Sequence, residues 1–252
     1  MERERSGADD VRATFAALDA GWSESLADLR RTGGPWTVLF SGGVDSGVLA
    51  WELRTDSGTR LATVGLEGSD DLAAAADAAR SIPAAWQAVV VAPGDLERLR
   101  AEATAAFPRL PASLALGLAA LLRFAPAGRL VCGQGADELF LGYAHFRGLT
   151  PTEAALRADA DLDTLVTGDW PATVALASRW GRDVRAPFLH PAFVRAARSI
   201  PFGDRMPGDR PKALWRAWAR HRGVPAPLAD RPKRALQYGS GIHRWLRSTA
   251  TR

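Results

Sequence analysis

An apolar run passes directly into a small, hydroxylated, glycine-bearing turn at Val38-Leu39-Phe40-Ser41-Gly42-Gly43-Val44-Asp45-Ser46, and this junction constrains the chain more than any other stretch. It predicts a strand, a tight turn and a helix in immediate succession. Gly42 and Gly43 let the backbone approach an anion without Cβ interference, and Ser41 and Ser46 offer hydroxyl donors. The helix starting near Asp45 points its positive end into the same space. Asp45 would repel a bare polyphosphate, so its presence implies a Mg²⁺ ion bridging carboxylate and phosphate oxygens.

No Gly-x-x-x-x-Gly-Lys-Ser/Thr occurs in the chain, and the turn does not follow the dinucleotide fingerprint. It resembles the SGGxDS pyrophosphate loop of the ATP-pyrophosphatase superfamily, whose members cleave ATP between the α and β phosphates to give AMP and pyrophosphate.

The 252 residues suffice for one large domain, or for a core domain with a smaller helical appendage. A hydrophobic fraction of 47% and a charged fraction of 24% are those of an ordinary globular protein. The net charge is +4, but 30 of the 32 basic residues are Arg in an Ala- and Gly-rich background, and no basic run with interleaved aromatics occurs. A solvated Arg surface accounts for this better than a nucleic-acid interface. The bias makes the two lysines informative: both stand in Arg-Pro-Lys triplets, as Lys212 and Lys233. A single cysteine, Cys132, excludes an internal disulfide and a multi-thiolate metal site. The start has no apolar leader, and the longest apolar stretch, 110 to 125, is short for a membrane span and contains Arg123, so a cytoplasmic protein is expected.

Apolar residues at Val11, Phe15, Leu18, Trp22, Leu26 and Leu29 predict an amphipathic helix over 9–31. Strands are expected at about 36–40, 61–66, 87–92 and 129–132, with helices at 45–54, 69–80 and 111–125. This alternation predicts an α/β fold with a twisted parallel sheet and helices on both faces. Strand carboxyl ends line one crevice in such sheets, so Asp45 and Asp137, in the acidic turn Gly133-Gln134-Gly135-Ala136-Asp137-Glu138, can converge. After residue 150 the patterns near 152–158, 170–181, 190–199, 209–222 and 239–248 are helical, and no strand is expected. The chain is expected to be one domain, with a nucleotide-binding core over about 33–150 and a helical part over about 151–252 closing the site.

Beyond the loop, VGLEGSDDLA (64–73), GQGADELFLGY (133–143), RAPFL (185–189), and Arg231-Pro232-Lys233 with Gly239-Ser240-Gly241 resemble the synthetase domain of asparagine synthetase, in that family's order. The resemblance spans about residues 10 to 248. It implies an adenine nucleotide alpha hydrolase-like fold and a ligase that adenylates a carboxylate with ATP and Mg²⁺, then passes it to ammonia or an amine. Carried over residue by residue, Ser41, Gly42, Gly43, Asp45 and Ser46 would hold pyrophosphate, and Phe40, Val64, Cys132 and Gly133 would contact adenine or ribose. Asp45 and Asp137 would be Mg²⁺ ligands, Lys233 the catalytic lysine, and Lys212 a supporting phosphate contact.

Three departures stand out. The family's glutaminase domain has no counterpart, Glu2 following the initiator, so nitrogen is expected from free ammonia, an amine or a separate glutaminase subunit. Gln134 stands where asparagine synthetases carry Glu and the related β-lactam and carbapenam synthetases Tyr, and an amide does not usefully accept a proton. Either another group supplies the base, with Asp183 and Glu138 as candidates, or the nucleophile needs none. His190 follows Pro-Phe-Leu, where the family usually has Asp, which alters a charge contact. The four histidines show no metal-ligand spacing, and the nine tryptophans read as packing residues. A tRNA- or small-molecule-modifying relative and a non-catalytic nucleotide-binding subunit stay as alternatives.

Overall fold

The computed structural model describes residues 2–126, 128–205, 212–231 and 236–250. Trp36-Thr37-Val38-Leu39 offers no polar face to water, and β1 (Trp36–Leu39) is buried along its whole length, the pattern of a strand covered on both sides. Around it the chain runs through α1 (Glu2–Arg31), α2 (Val44–Leu53), β2 (Arg60–Gly65), α3 (Asp70–Ala79), β3 (Ala85–Val90), α4 (Pro93–Ala106), α5 (Ala112–Phe124), β4 (Arg129–Val131) and α6 (Ala136–Leu139). It continues through α7 (Pro151–Thr164), α8 (Trp170–Arg179), β5 (Asp183–Arg185), α9 (Pro191–Arg198), α10 (Phe202–Arg205), α11 (Ala213–His221), α12 (Ala226–Ala229), α13 (Leu236–Gly239) and α14 (Ile242–Ala250). A π-helical turn at Leu165–Asp169 joins α7 to α8. None of the described helices is long and apolar enough to cross a membrane.

Two compact units are interleaved along the chain. One comprises Gly34–Cys132, Val166–Arg185 and Gly223–Arg252 and holds the sheet, whose five strands run parallel in the order β3-β2-β1-β4-β5. Val38 in central β1 pairs with Leu61 on one side and Val131 on the other. Helices α2, α3, α5 and α8 pack against the strands. The α/β class with a parallel sheet is therefore as expected, with one correction: β5 lies after residue 150. Its pattern is Asp-Val-Arg with only Val184 buried, so no periodicity announces it, and its pairing with β4 is a tertiary effect. Helix α4 is also absent from the sequence reading, although Pro93 at its start and buried Leu96, Leu99 and Ala103 on one face mark it.

The other unit, Met1–Gly33, Gly133–Leu165 and Ala186–Arg222, is helical. α1 packs on α9, burying Leu18, Trp22, Leu26 and Leu29 while Val11 stays exposed. Trp22, Phe140, Phe188, Phe193, Trp215 and Trp218 form one aromatic core, with Phe140 stacked on Trp215 at 4.6 Å and Trp22 edge-on to Phe193 at 4.9 Å. Each such pair adds about 1 kcal/mol beyond area burial. Trp22, Trp215 and Trp218 are packing residues, as expected.

Candidate nucleotide site

The sheet ladder carries the chain up to the loop and stops there. Phe40 N–H donates to the Ala62 carbonyl at 2.8 Å, and the Phe40 carbonyl accepts from Thr63 Oγ1 at 2.5 Å, which in turn accepts from Trp86 Nε1 at 2.9 Å. This chain of bonds crosses β3, β2 and β1 and fixes the last residue before the turn. Gly42 then takes φ +71, a left-handed backbone that favours glycine. Ser46 closes the turn from α2: its Oγ accepts the Ser41 N–H at 3.2 Å, lies 3.2 Å from Ser41 Oγ, and donates to the Gly43 carbonyl at 3.3 Å. Gly43 N–H donates to Ser41 Oγ at 3.3 Å. The two hydroxyls thus staple the loop to itself. Gly43 is the N-cap of α2 and gives the first-turn amides no side-chain acceptor, which suits an anion at that end.

Three of the resemblance motifs meet in this same unit. Leu66 N–H donates to the Ser240 carbonyl at 3.1 Å, and a Cβ on Gly239 would lie 1.9 Å from Asp71 Oδ1, so the Gly-Ser-Gly segment packs closely on the stretch after β2. Arg231 reaches the loop itself, its Nη1 donating to the Ser41 carbonyl at 3.3 Å and to the Ala74 carbonyl of α3 at 2.9 Å. Beyond its place in the Arg-Pro-Lys triplet, nothing in the sequence marks Arg231 as a site residue. Phe40, just after β1, and Val64, in β2, are buried at 1% and 4% exposure. Cys132 is buried, with its N–H on the Arg185 carbonyl at 2.9 Å. Asp183 is taken up by Arg185 at 2.8 Å and Arg129 at 3.7 Å on the edge strand. Lys233 lies outside the described residues.

The acidic turn belongs to the helical unit. Gly135 takes φ +97, and a Cβ there would stand 2.5 Å from Leu189, so the RAPFL segment packs flush against it. Asp137 Oδ1 lies 2.7 Å from Lys212 Nζ, whose side chain is 1% exposed. Gly142 donates its N–H to the Asp137 carbonyl at 2.9 Å, and a Cβ on it would come within 1.9 Å of Asp137 Oδ1 and 2.4 Å of Lys212 Cε. Leu141, beside Gly142, and Lys212 itself are the non-glycine residues with left-handed backbone among those described, at φ 57 and 59. Such conformations cost about 1–3 kcal/mol each and gather at functional sites. Glu138 is buried, and its Oε1 accepts from Tyr143 Oη at 2.6 Å. Burial, reinforced by the Asp137 charge, pushes the Glu138 carboxyl up to about 7. Burial and the same two carboxylates raise the Tyr143 phenol, which stays protonated.

Mg²⁺ keeps waters and phosphate oxygens beside one or two carboxylates. Of the two carboxylates expected to hold it, Asp137 already has a buried ammonium partner. His190 caps α9 through Nδ1, which accepts the Ala192 N–H at 3.3 Å, so the histidine takes an acceptor role at the position where an aspartate is usual.

The sequence profile described as asparagine synthase matches residues 22–176 and 152–252. A glutamine-hydrolyzing asparagine synthetase of Sandersonia aurantiaca is 29% identical over 212 residues, an alignment covering 73% of this chain and 38% of that protein. The chain thus spans well under half the length of this relative. A solved structure, the predicted subunit of a tRNA methyltransferase from Methanocaldococcus jannaschii DSM, covers 80% of this chain and 93% of its own at 16% identity, with a TM-score of 0.36. With the profile matching nearly the whole length, from residue 22 onward, the chain belongs to the asparagine synthase family.

Proposed function

We propose that this chain is an ATP-dependent ligase that forms AMP and pyrophosphate while joining a carboxylate to ammonia or an amine. One observation carries the reading: in a member of the asparagine synthase family, the central strand ends in a positive-φ glycine turn that opens a helix lacking a side-chain cap. In this reading the loop amides hold the pyrophosphate portion of ATP, and Phe40, Val64, Cys132 and Gly133 border adenine and ribose. Asp45 and Asp137 would hold Mg²⁺, which would supply charge neutralisation for the phosphates.

The substrate carboxylate attacks the α-phosphorus in line; the α–β bridging P–O bond breaks, an acyl-adenylate forms and pyrophosphate departs. The chain's part is positioning and charge. The loop amides and the compact ammonium of Lys233 stabilise the leaving pyrophosphate, and Lys212 keeps Asp137 oriented. The nucleophilic nitrogen then displaces AMP.

A pyrophosphate-release assay with ATP, Mg²⁺, ammonium and a panel of amino and keto acids tests the reading. Asp45→Ala should abolish release. Gln134, together with the engagement of Asp137 by Lys212, favours one other reading, a nucleotide-binding subunit without turnover. That reading gives ATP binding by calorimetry but no pyrophosphate with any acid.

A further inference from the structure

A single guanidinium packs between the phosphate loop and α3. Arg231 Nη1 spends its two protons on the carbonyls of Ser41, at 3.3 Å, and Ala74, at 2.9 Å, tying the loop to α3. It lies where a Gly42 side chain would go, since a Cβ there would be 2.2 Å from Nη1 and 2.9 Å from Ala78 Cβ. Gly42 is buried, and its own N–H makes no hydrogen bond among the described residues. Buried backbone donors without a partner are rare in folded proteins and mark strain or the place of a ligand.

A trans peptide points its carbonyl and the next N–H in opposite directions. The group that holds the Ser41 carbonyl therefore also aims the Gly42 N–H, away from Arg231. We propose that Arg231 is a positioning residue of the phosphate site, fixing the Ser41–Gly42 peptide so that the Gly42 N–H is presented to the pyrophosphate portion of the nucleotide. The inference rests on the ATP-binding reading above. Lysine does not replace Arg here, because a planar fork holds two carbonyls in fixed directions while an ammonium on a flexible stem does not.

Two probes separate this role from a merely structural one. Pyrophosphate with Mg²⁺ meets only the phosphate loop, and adenosine meets only the base and sugar side. Arg231→Ala should weaken pyrophosphate and ATP binding by at least about tenfold in calorimetry. Adenosine binding should stay within about twofold, and millimolar guanidinium should restore much of the loss. Arg231→Lys, which keeps the charge and should keep the thermal midpoint, should lose pyrophosphate affinity by several-fold. Equal pyrophosphate affinity in wild type and both variants overturns the inference, whatever happens to their melting temperatures. So does a parallel loss of adenosine and pyrophosphate binding. Absence of ATP and pyrophosphate binding in the wild type removes the ATP reading, and this inference with it; binding that survives in Arg231→Ala removes the inference alone.

Discussion

Lys212 Nζ and Asp137 Oδ1 stand 2.7 Å apart, with the lysine side chain 1% and the aspartate 24% exposed. Breaking such a pair from one side strands a charge in a poorly solvated place, at a cost of about 3 kcal/mol. Asp137→Ala is therefore expected to lower stability by that order in urea unfolding, and to abolish pyrophosphate release as well. Lys212→Met combined with Asp137→Leu should recover most of the stability and none of the activity. Unchanged unfolding of Asp137→Ala would mean the ammonium finds another partner.

Gly142→Ala tests how tightly the pair is packed. The new methyl would sit 1.9 Å from Asp137 Oδ1, 2.4 Å from Lys212 Cε and 2.9 Å from Asp137 Cγ. A loss of about 2 kcal/mol or more is expected, in the range of overpacked cores. A shift of the thermal midpoint by less than a degree would show that the carboxylate swings aside freely.

The Glu138 carboxyl, raised by burial from 4.5 to about 7, makes stability pH-dependent in a definite direction. A folded-state value above the unfolded one gives stabilisation that is complete below pH 4.5 and is lost as pH rises through about 7. The full swing is about 3 kcal/mol. Metal-free protein should therefore lose stability between about pH 5 and pH 8, and Glu138→Gln, whose amide oxygen still accepts from Tyr143, should flatten the curve and exceed wild type at the alkaline end. Parallel urea-midpoint curves for the two proteins would assign the pH dependence elsewhere.

Lys233→Arg should keep the fold and most ATP affinity yet lose turnover by about a hundredfold, or about 3 kcal/mol of transition-state stabilisation. In a chain that writes nearly every cation as Arg, a retained lysine suggests a site that needs a compact charge. Single-turnover rates decide it. A rate within a few-fold of wild type would place Lys233 among ordinary surface cations.

Local patterning makes β1 to β4, the phosphate loop and the large helices other than α4 legible, because each has a periodicity or a glycine turn of its own. β5 has neither: a lone Val184 between two ion-pairing residues becomes a strand only beside β4. The Lys212–Asp137 pair was hidden for a related reason. The sequence offers Lys212 as a phosphate contact and Asp137 as a metal ligand separately, and where they meet Lys212 has a left-handed backbone, which a lysine seldom adopts. Arg231 was invisible among 30 arginines until its carbonyl partners were seen.

Those partners also fix an order of events during synthesis. Ser41 emerges early, and its loop can form as soon as β1 pairs with β2, yet the cation that holds its carbonyl lies 190 positions downstream. A ribosome adding about 5–20 residues per second leaves that carbonyl waiting for ten seconds or more. Contacts of such sequence separation form late and slowly in folding. A nascent or C-terminally clipped chain can thus possess the parallel sheet while its phosphate loop is still unbraced, so proteolysis near the end of the chain would act on the loop at a distance, without touching it.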